Sequence, residues 1–118
     1  LGVRLTSAFA RHFVEGAERA VIIGTDCPGI DRRLITAAFR ALGSFDVVLG
    51  PAVDGGYYLL GLREPQPALF RGIPWSTGAV AAQTRARGAE LGLACYLLRP
   101  LRDVDRARDA RVLGLLKA

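Results

Sequence analysis

Residues 46–62 read Asp46-Val47-Val48-Leu49-Gly50-Pro51-Ala52-Val53-Asp54-Gly55-Gly56-Tyr57-Tyr58-Leu59-Leu60-Gly61-Leu62. Two apolar runs, 47–49 and 57–62, flank a polar break. Their β-branched and aromatic content predicts a strand in each. Asp54-Gly55-Gly56 between them is a turn signal. Upstream, Val21-Ile22-Ile23 predicts a short buried strand, parallel to its neighbours. Between these strands Leu34, Ile35, Ala38, Phe39 and Leu42 recur at helical spacing, and Gly43 closes that helix. Leu1, Leu5, Phe9 and Phe13 form an earlier amphipathic stripe that Gly16 ends. Downstream, Pro65, Pro67 and Pro74 predict a loop with at most a turn at 68–70. A helix over 77–91 follows, with Thr77 as N-cap and Gly92 as stop. A strand is expected over 93–98. After Asp105 comes a last helix whose Ala107, Val112, Leu113 and Leu116 face the core. Strands alternating with helices give an α/β fold, a largely parallel sheet with helices on its faces.

The chain has 118 residues, 51% of them hydrophobic and 23% charged. That composition excludes a disordered chain, which lacks the apolar residues to build a core. The length suits one domain over 1–118. No apolar run approaches the roughly 20 residues of a membrane-spanning helix. No basic-then-apolar leader opens the sequence, so a cytoplasmic, reducing setting is expected. Cys27 and Cys95 lack metal-ligand spacing and are expected to stay reduced and unbridged. The lone His12 reads as a helix-surface residue. Sixteen basic and 11 acidic residues give a net charge of +5. Every cation but Lys117 is an arginine, and the net positive charge favours anionic partners: nucleic acid, phosphorylated metabolites or acidic lipid headgroups. The arginines are dispersed, and Asp103, Asp105 and Asp109 interrupt the densest stretch, so no nucleic-acid partner is expected.

Ligands of open α/β sheets bind beyond the carboxyl ends of the strands, so the polar breaks there carry the chemistry. In Gly24-Thr25-Asp26-Cys27-Pro28-Gly29, Asp26 is either a hard-oxygen ligand for Mg²⁺ or Mn²⁺ or a turn cap. Cys27 reads as a small buried residue. In Asp54-Gly55-Gly56, the glycines either let backbone approach a ligand or specify a hairpin turn. Trp75-Ser76-Thr77 precedes a helix, where hydroxyls and backbone amides hold a phosphate or simply cap the helix. In Asp103-Val104-Asp105 the alternate carboxylates share one side of an extended segment; they face a cation together, or Asp105 caps a helix. Neither a dinucleotide fingerprint nor a Walker loop occurs.

The segments 24–29, 46–62, 75–77 and Leu101-Arg102-Asp103-Val104-Asp105, in this order, resemble the DUF2064 family of bacterial proteins, which is glycosyltransferase-A-like and associated with radical-SAM and selenodomain proteins. The resemblance covers essentially the whole chain. It implies a Rossmann-like, mostly parallel sheet of the nucleotide-diphospho-sugar transferase type, a nucleotide-bearing donor and a divalent cation. By the same resemblance Asp26 and Asp105 hold the metal. Asp54 serves as the catalytic residue on the acceptor side, and Gly55, Gly56, Tyr57, Trp75, Ser76 and Thr77 bind substrate. Arg106 stands where the family carries threonine. The family's opening strand and basic, Gly-containing nucleotide loop have no counterpart here, so the domain is expected to be N-terminally incomplete. The expected function is a glycosyltransferase-like protein using a nucleotide sugar. The alternatives are a nucleotidyltransferase using a nucleoside triphosphate, or a non-catalytic remnant that dimerises or binds a partner. The missing strands would leave Val21-Ile22-Ile23 at an open edge, so a homo-oligomer is expected.

Overall fold

The structure, a computed structural model, describes residues 2–24, 29–73, 78–101 and 114–117. Helix α1 (Gly2–Val14) carries the expected stripe. Leu5 and Phe9 are buried, and the Phe9 ring stacks on Phe13 and Phe70 at centroid distances of 6.4 and 6.1 Å. Gly16 ends the helix at a φ of 102°. The amides of Gly16 and Ala17 return to the carbonyls of Phe13 and His12, a Schellman stop. Strand β1 (Ala20–Ile23) leads to α2 (Arg32–Ala41). The Asp31 carboxylate caps α2 by accepting from the Leu34 amide at 2.8 Å. At the far end the Arg19 guanidinium donates to the Phe39 carbonyl at 2.8 Å, a cation where the helix dipole is negative.

Strands β2 (Val47–Pro51) and β3 (Tyr57–Leu62) form the predicted hairpin. A 3₁₀ turn (Pro67–Phe70) buries Leu69 and Phe70, and the Arg87 side chain donates to the Ala68 and Arg71 carbonyls at its end. Helix α3 (Val80–Glu90) presents the small buried face Val80, Ala81, Thr84 and Gly88, which lets it lie close to that turn. Strands β4 (Cys95–Leu97) and β5 (Gly114–Lys117) complete the described elements.

Among the described residues the sheet has five strands in the order β4-β2-β3-β1-β5. Alternate residues feed opposite cores. Ala20, Ile22, Val47, Leu49, Leu60 and Leu62 pack with Leu5, Phe9, Leu69 and Phe70 from α1 and the 3₁₀ turn. Val21, Val48, Tyr58 and Leu59 pack with Leu34, Ala38 and Leu42 from α2 and its end. Helices on both faces are as the sequence predicts.

Strand direction is not. Only β2 and β4 pair in parallel; β3 lies antiparallel between β1 and β2, and β5 is antiparallel to β1. The mostly parallel sheet is therefore corrected to a mixed one. The hairpin return strand inserts between β1 and β2, which run the same way without touching. β1 is thus antiparallel to both its neighbours, and it is not an open edge. The last helix is also corrected over its described part, because Gly114–Lys117 is strand. A short apolar run suits either state, and here the unfilled side of β1 decides it.

Candidate functional site

β1, β2 and β4 share one direction, so their carboxyl ends gather at one end of the sheet. The hairpin turn sits there. Its backbone closes through Ala52 donating to the Gly56 carbonyl at 2.8 Å and Gly55 to the Ala52 carbonyl at 3.0 Å. Asp54 Oδ1 accepts from the Gly56 amide at 3.0 Å, an Asx turn. The carboxylate is therefore held in one orientation by the turn it shapes. Gly55 has a φ of 99°, and a Cβ on it would lie 1.8 Å from the Gly78 carbonyl oxygen. Only glycine satisfies both the angle and the approach. The Gly55 carbonyl in turn accepts from the Ala81 amide at 2.8 Å, filling one of the vacant donors at the start of α3. The α3 N-cap is Ala79, not Thr77 as expected; Thr77 itself lies outside the described residues. Backbone from the turn thus does what a capping hydroxyl was expected to do.

The other two breaks reach the same end. The β2–β3 register shifts between Gly50 and Pro51, leaving Tyr58 as the extra residue of a bulge. The Tyr58 ring covers Gly50, where a Cβ would lie 2.5 Å from Cζ. Its hydroxyl donates to the Arg99 carbonyl at 2.8 Å. The Gly24 amide donates to the Tyr58 carbonyl at 3.0 Å, so the segment leaving β1 starts beside the bulge. Beyond it, Gly29 packs on Leu101, whose Cδ2 would lie 2.9 Å from a Cβ there. Leu101 is bonded beside the end of β2, its amide to the Pro51 carbonyl at 3.1 Å and its carbonyl to the Val53 amide at 2.8 Å. The residues flanking 25–28 and the residue preceding 102–113 are therefore neighbours at the end that carries Asp54.

Burial pushes the Tyr57 hydroxyl well above its usual range, so Tyr57 stays a neutral, packed side chain. Burial likewise raises the Cys95 thiol, with the Arg85 charge opposing it. Cys95 is a free thiol and pairs with Val47, at the opposite end of the sheet from Gly24 and Gly29. Among the described residues no three of His, Cys, Asp or Glu cluster as a metal site.

Of the residues singled out in the sequence, Asp54, Gly55, Gly56 and Tyr57 lie together on the turn and the start of β3. Asp26, Trp75, Ser76, Thr77 and Asp105 lie outside the described residues, as does Cys27. The sequence reading missed Gly78, and named Leu101 only as the first residue of a segment resembling the family. Gly78 follows the Trp75-Ser76-Thr77 segment directly, and a glycine there was the available signal of close backbone packing.

Among the described residues no helix is long and apolar enough to cross a membrane. No curated protein matches the chain. A solved structure from Desulfovibrio desulfuricans G20, a "putative nucleotide-diphospho-sugar transferase", is similar to it with a TM-score of 0.84 and 36% identity. The match covers 89% of this chain and 46% of that one, so the chain spans about half the length of that relative. The fold is of the type found in that relative. The model of the DUF2064 family, "Uncharacterized protein conserved in bacteria", matches residues 1–77. With more than half of its length matched, this chain belongs to the DUF2064 family.

Proposed function

We propose that the chain forms part of a transferase that uses a nucleotide-diphospho-sugar donor and a divalent cation, Mg²⁺ or Mn²⁺. The observation that carries this reading is the contact of Gly29 with Leu101 beside the Asp54 turn. It brings the flanks of three separate sequence breaks to the carboxyl ends of β1, β2 and β4, where ligands of such sheets bind. The similarity to a protein named for the same donor class supports it.

In this reading Asp26 and Asp105 would hold the cation, whose charge offsets that developing on a departing diphosphate. Asp54 orients or deprotonates an acceptor hydroxyl, and the Asx turn supplies the fixed direction a base needs. Gly55 and Gly56 shape the turn that presents Asp54 to the acceptor, with Tyr57, Trp75, Ser76 and Thr77 on its flanks. We infer self-association as well, through the outer side of β5, because β1 itself is paired on both sides.

Calorimetric titration with a panel of nucleoside-diphosphate sugars, with and without Mn²⁺, tests the reading. Binding that needs Mn²⁺ and weakens at least about tenfold in Asp26→Asn and Asp105→Asn is expected, the scale of losing a charged ligand. Preference for a bare nucleoside triphosphate would replace it with nucleotidyl transfer. Absence of any binding would leave only the non-catalytic role.

A further inference from the structure

We propose that the outer edge of β4, with the groove between β4 and α2, docks an acidic, extended polypeptide segment that joins the sheet as a further strand.

Among the described residues β4 is one margin of the sheet. The Ala94 carbonyl accepts from the Val47 amide, and the Leu98 amide donates to the Leu49 carbonyl. Backbone groups alternate sides along a strand, so those of Tyr96 also face β2. Those of Cys95 and Leu97 face outward, with no partner among the described residues. Tyr96 and Leu97 are 42% and 38% exposed, a high value for large apolar side chains in a sheet. The margin therefore offers both a ladder and apolar contacts, the two elements of strand addition.

The groove beside it sets the partner's charge. It has a volume of about 680 Å³ and is lined by Arg32, Arg33, Arg40, Phe45 and Tyr96 among others. The Phe45 and Tyr96 rings meet at 5.2 Å. Among the described residues none of the three arginines pairs with a carboxylate. Arg32 and Arg33 occupy the first turn of α2, where the dipole disfavours cations by about 0.3–1 kcal/mol each. Local helix physics does not ask for them there. Tyr96 faces the α2 side and Leu97 the other. An added strand would place every second residue over the arginines and the alternate ones beside Leu97. Acidic residues alternating with apolar ones fit that register. A second copy fits poorly, because a two-fold axis across β4 sets both arginine trios on the same face. A nucleic acid would use the arginines but leave the Cys95 and Leu97 ladder empty.

The probes are a short fluorescent peptide of alternating glutamate and valine, its lysine–valine counterpart, and its glutamate–valine version with a central proline. Anisotropy at low salt should show binding of the first, weakened at least about tenfold in the other two and in Arg32→Ser/Arg40→Ser. Hydrogen exchange, which also reports that the variant is folded, should show new protection at the Cys95 and Leu97 amides and none at Tyr96. Equal binding of the lysine peptide, an unchanged variant, or protection elsewhere would overturn the proposal. So would tighter binding of a mixed-sequence single-stranded oligonucleotide, or protection of Cys95 and Leu97 that rises with protein concentration alone. Nucleotide-sugar binding by Arg32→Ser/Arg40→Ser should be unchanged, which separates this surface from the transferase reading.

Discussion

Gly55 and Gly16 both adopt positive φ, at 99° and 102°, in different surroundings. A Cβ on Gly16 would meet nothing within 4 Å, whereas one on Gly55 would run into the Gly78 backbone. Gly16→Ala should therefore cost only the left-handed penalty, about 1–2 kcal/mol. Gly55→Ala should cost more than that, because the turn must also part from α3. Urea denaturation midpoints of the two variants test the order; equal losses would mean the turn and α3 separate easily. Asp46 carries the clearest pH dependence. The Ala94 amide, and next the Arg63 guanidinium at 2.7 Å, hold its carboxyl below the usual carboxylate range. A folded value below the unfolded one makes this contribution complete above the unfolded value near 3.9 and lost as pH falls through the folded one. Asp46→Asn should thus lose roughly 1 kcal/mol near neutrality and nothing at strongly acid pH, read from urea unfolding against pH. At this scale the site was partly legible. Asp-Gly-Gly announces a turn wherever it occurs, but its docking on Gly78 joins residues 23 positions apart (78 − 55), and no local pattern encodes that.

The β2–β3 hairpin is the element that organises the site, and its bulge depends on a tyrosine lying over a glycine. Gly50→Ala should destabilise by about 1–3 kcal/mol, because the new methyl overlaps the Tyr58 ring. In a Tyr58→Leu background the same change should cost less. A double-mutant cycle with coupling near zero would show that the ring does not depend on the glycine. Elements of one clear periodicity were legible: α1, α2 and both hairpin strands fall where their apolar spacing puts them. Strand order was not. Val21-Ile22-Ile23 is apolar on both faces in either orientation, so the sequence shows that β1 is central without showing which strands flank it. Residues 114–117 failed for a related reason. Four residues are too few to reveal a period, and the vacancy beside β1 outweighs helix preference.

For the molecule as a whole, the two sheet margins make different demands. Among the described residues the β4 margin is set beside arginines that pair with no carboxylate, while β5 is the outer strand on the other side. Self-association through β5 predicts a mass above the 12.6 kDa of one chain in light scattering at micromolar concentration. A uniform species of that single mass would refute it. The pairing of β1 with β5, Ala20 with Lys117 and Ile23 with Gly114, also orders events in time. A ribosome makes roughly 5–20 residues per second, so β1 emerges many seconds before its second partner exists. During that interval α1, α2 and the hairpin can assemble, while one flank of β1 stays without its strand partner. Pairing on that side of β1 therefore waits for translation of β5.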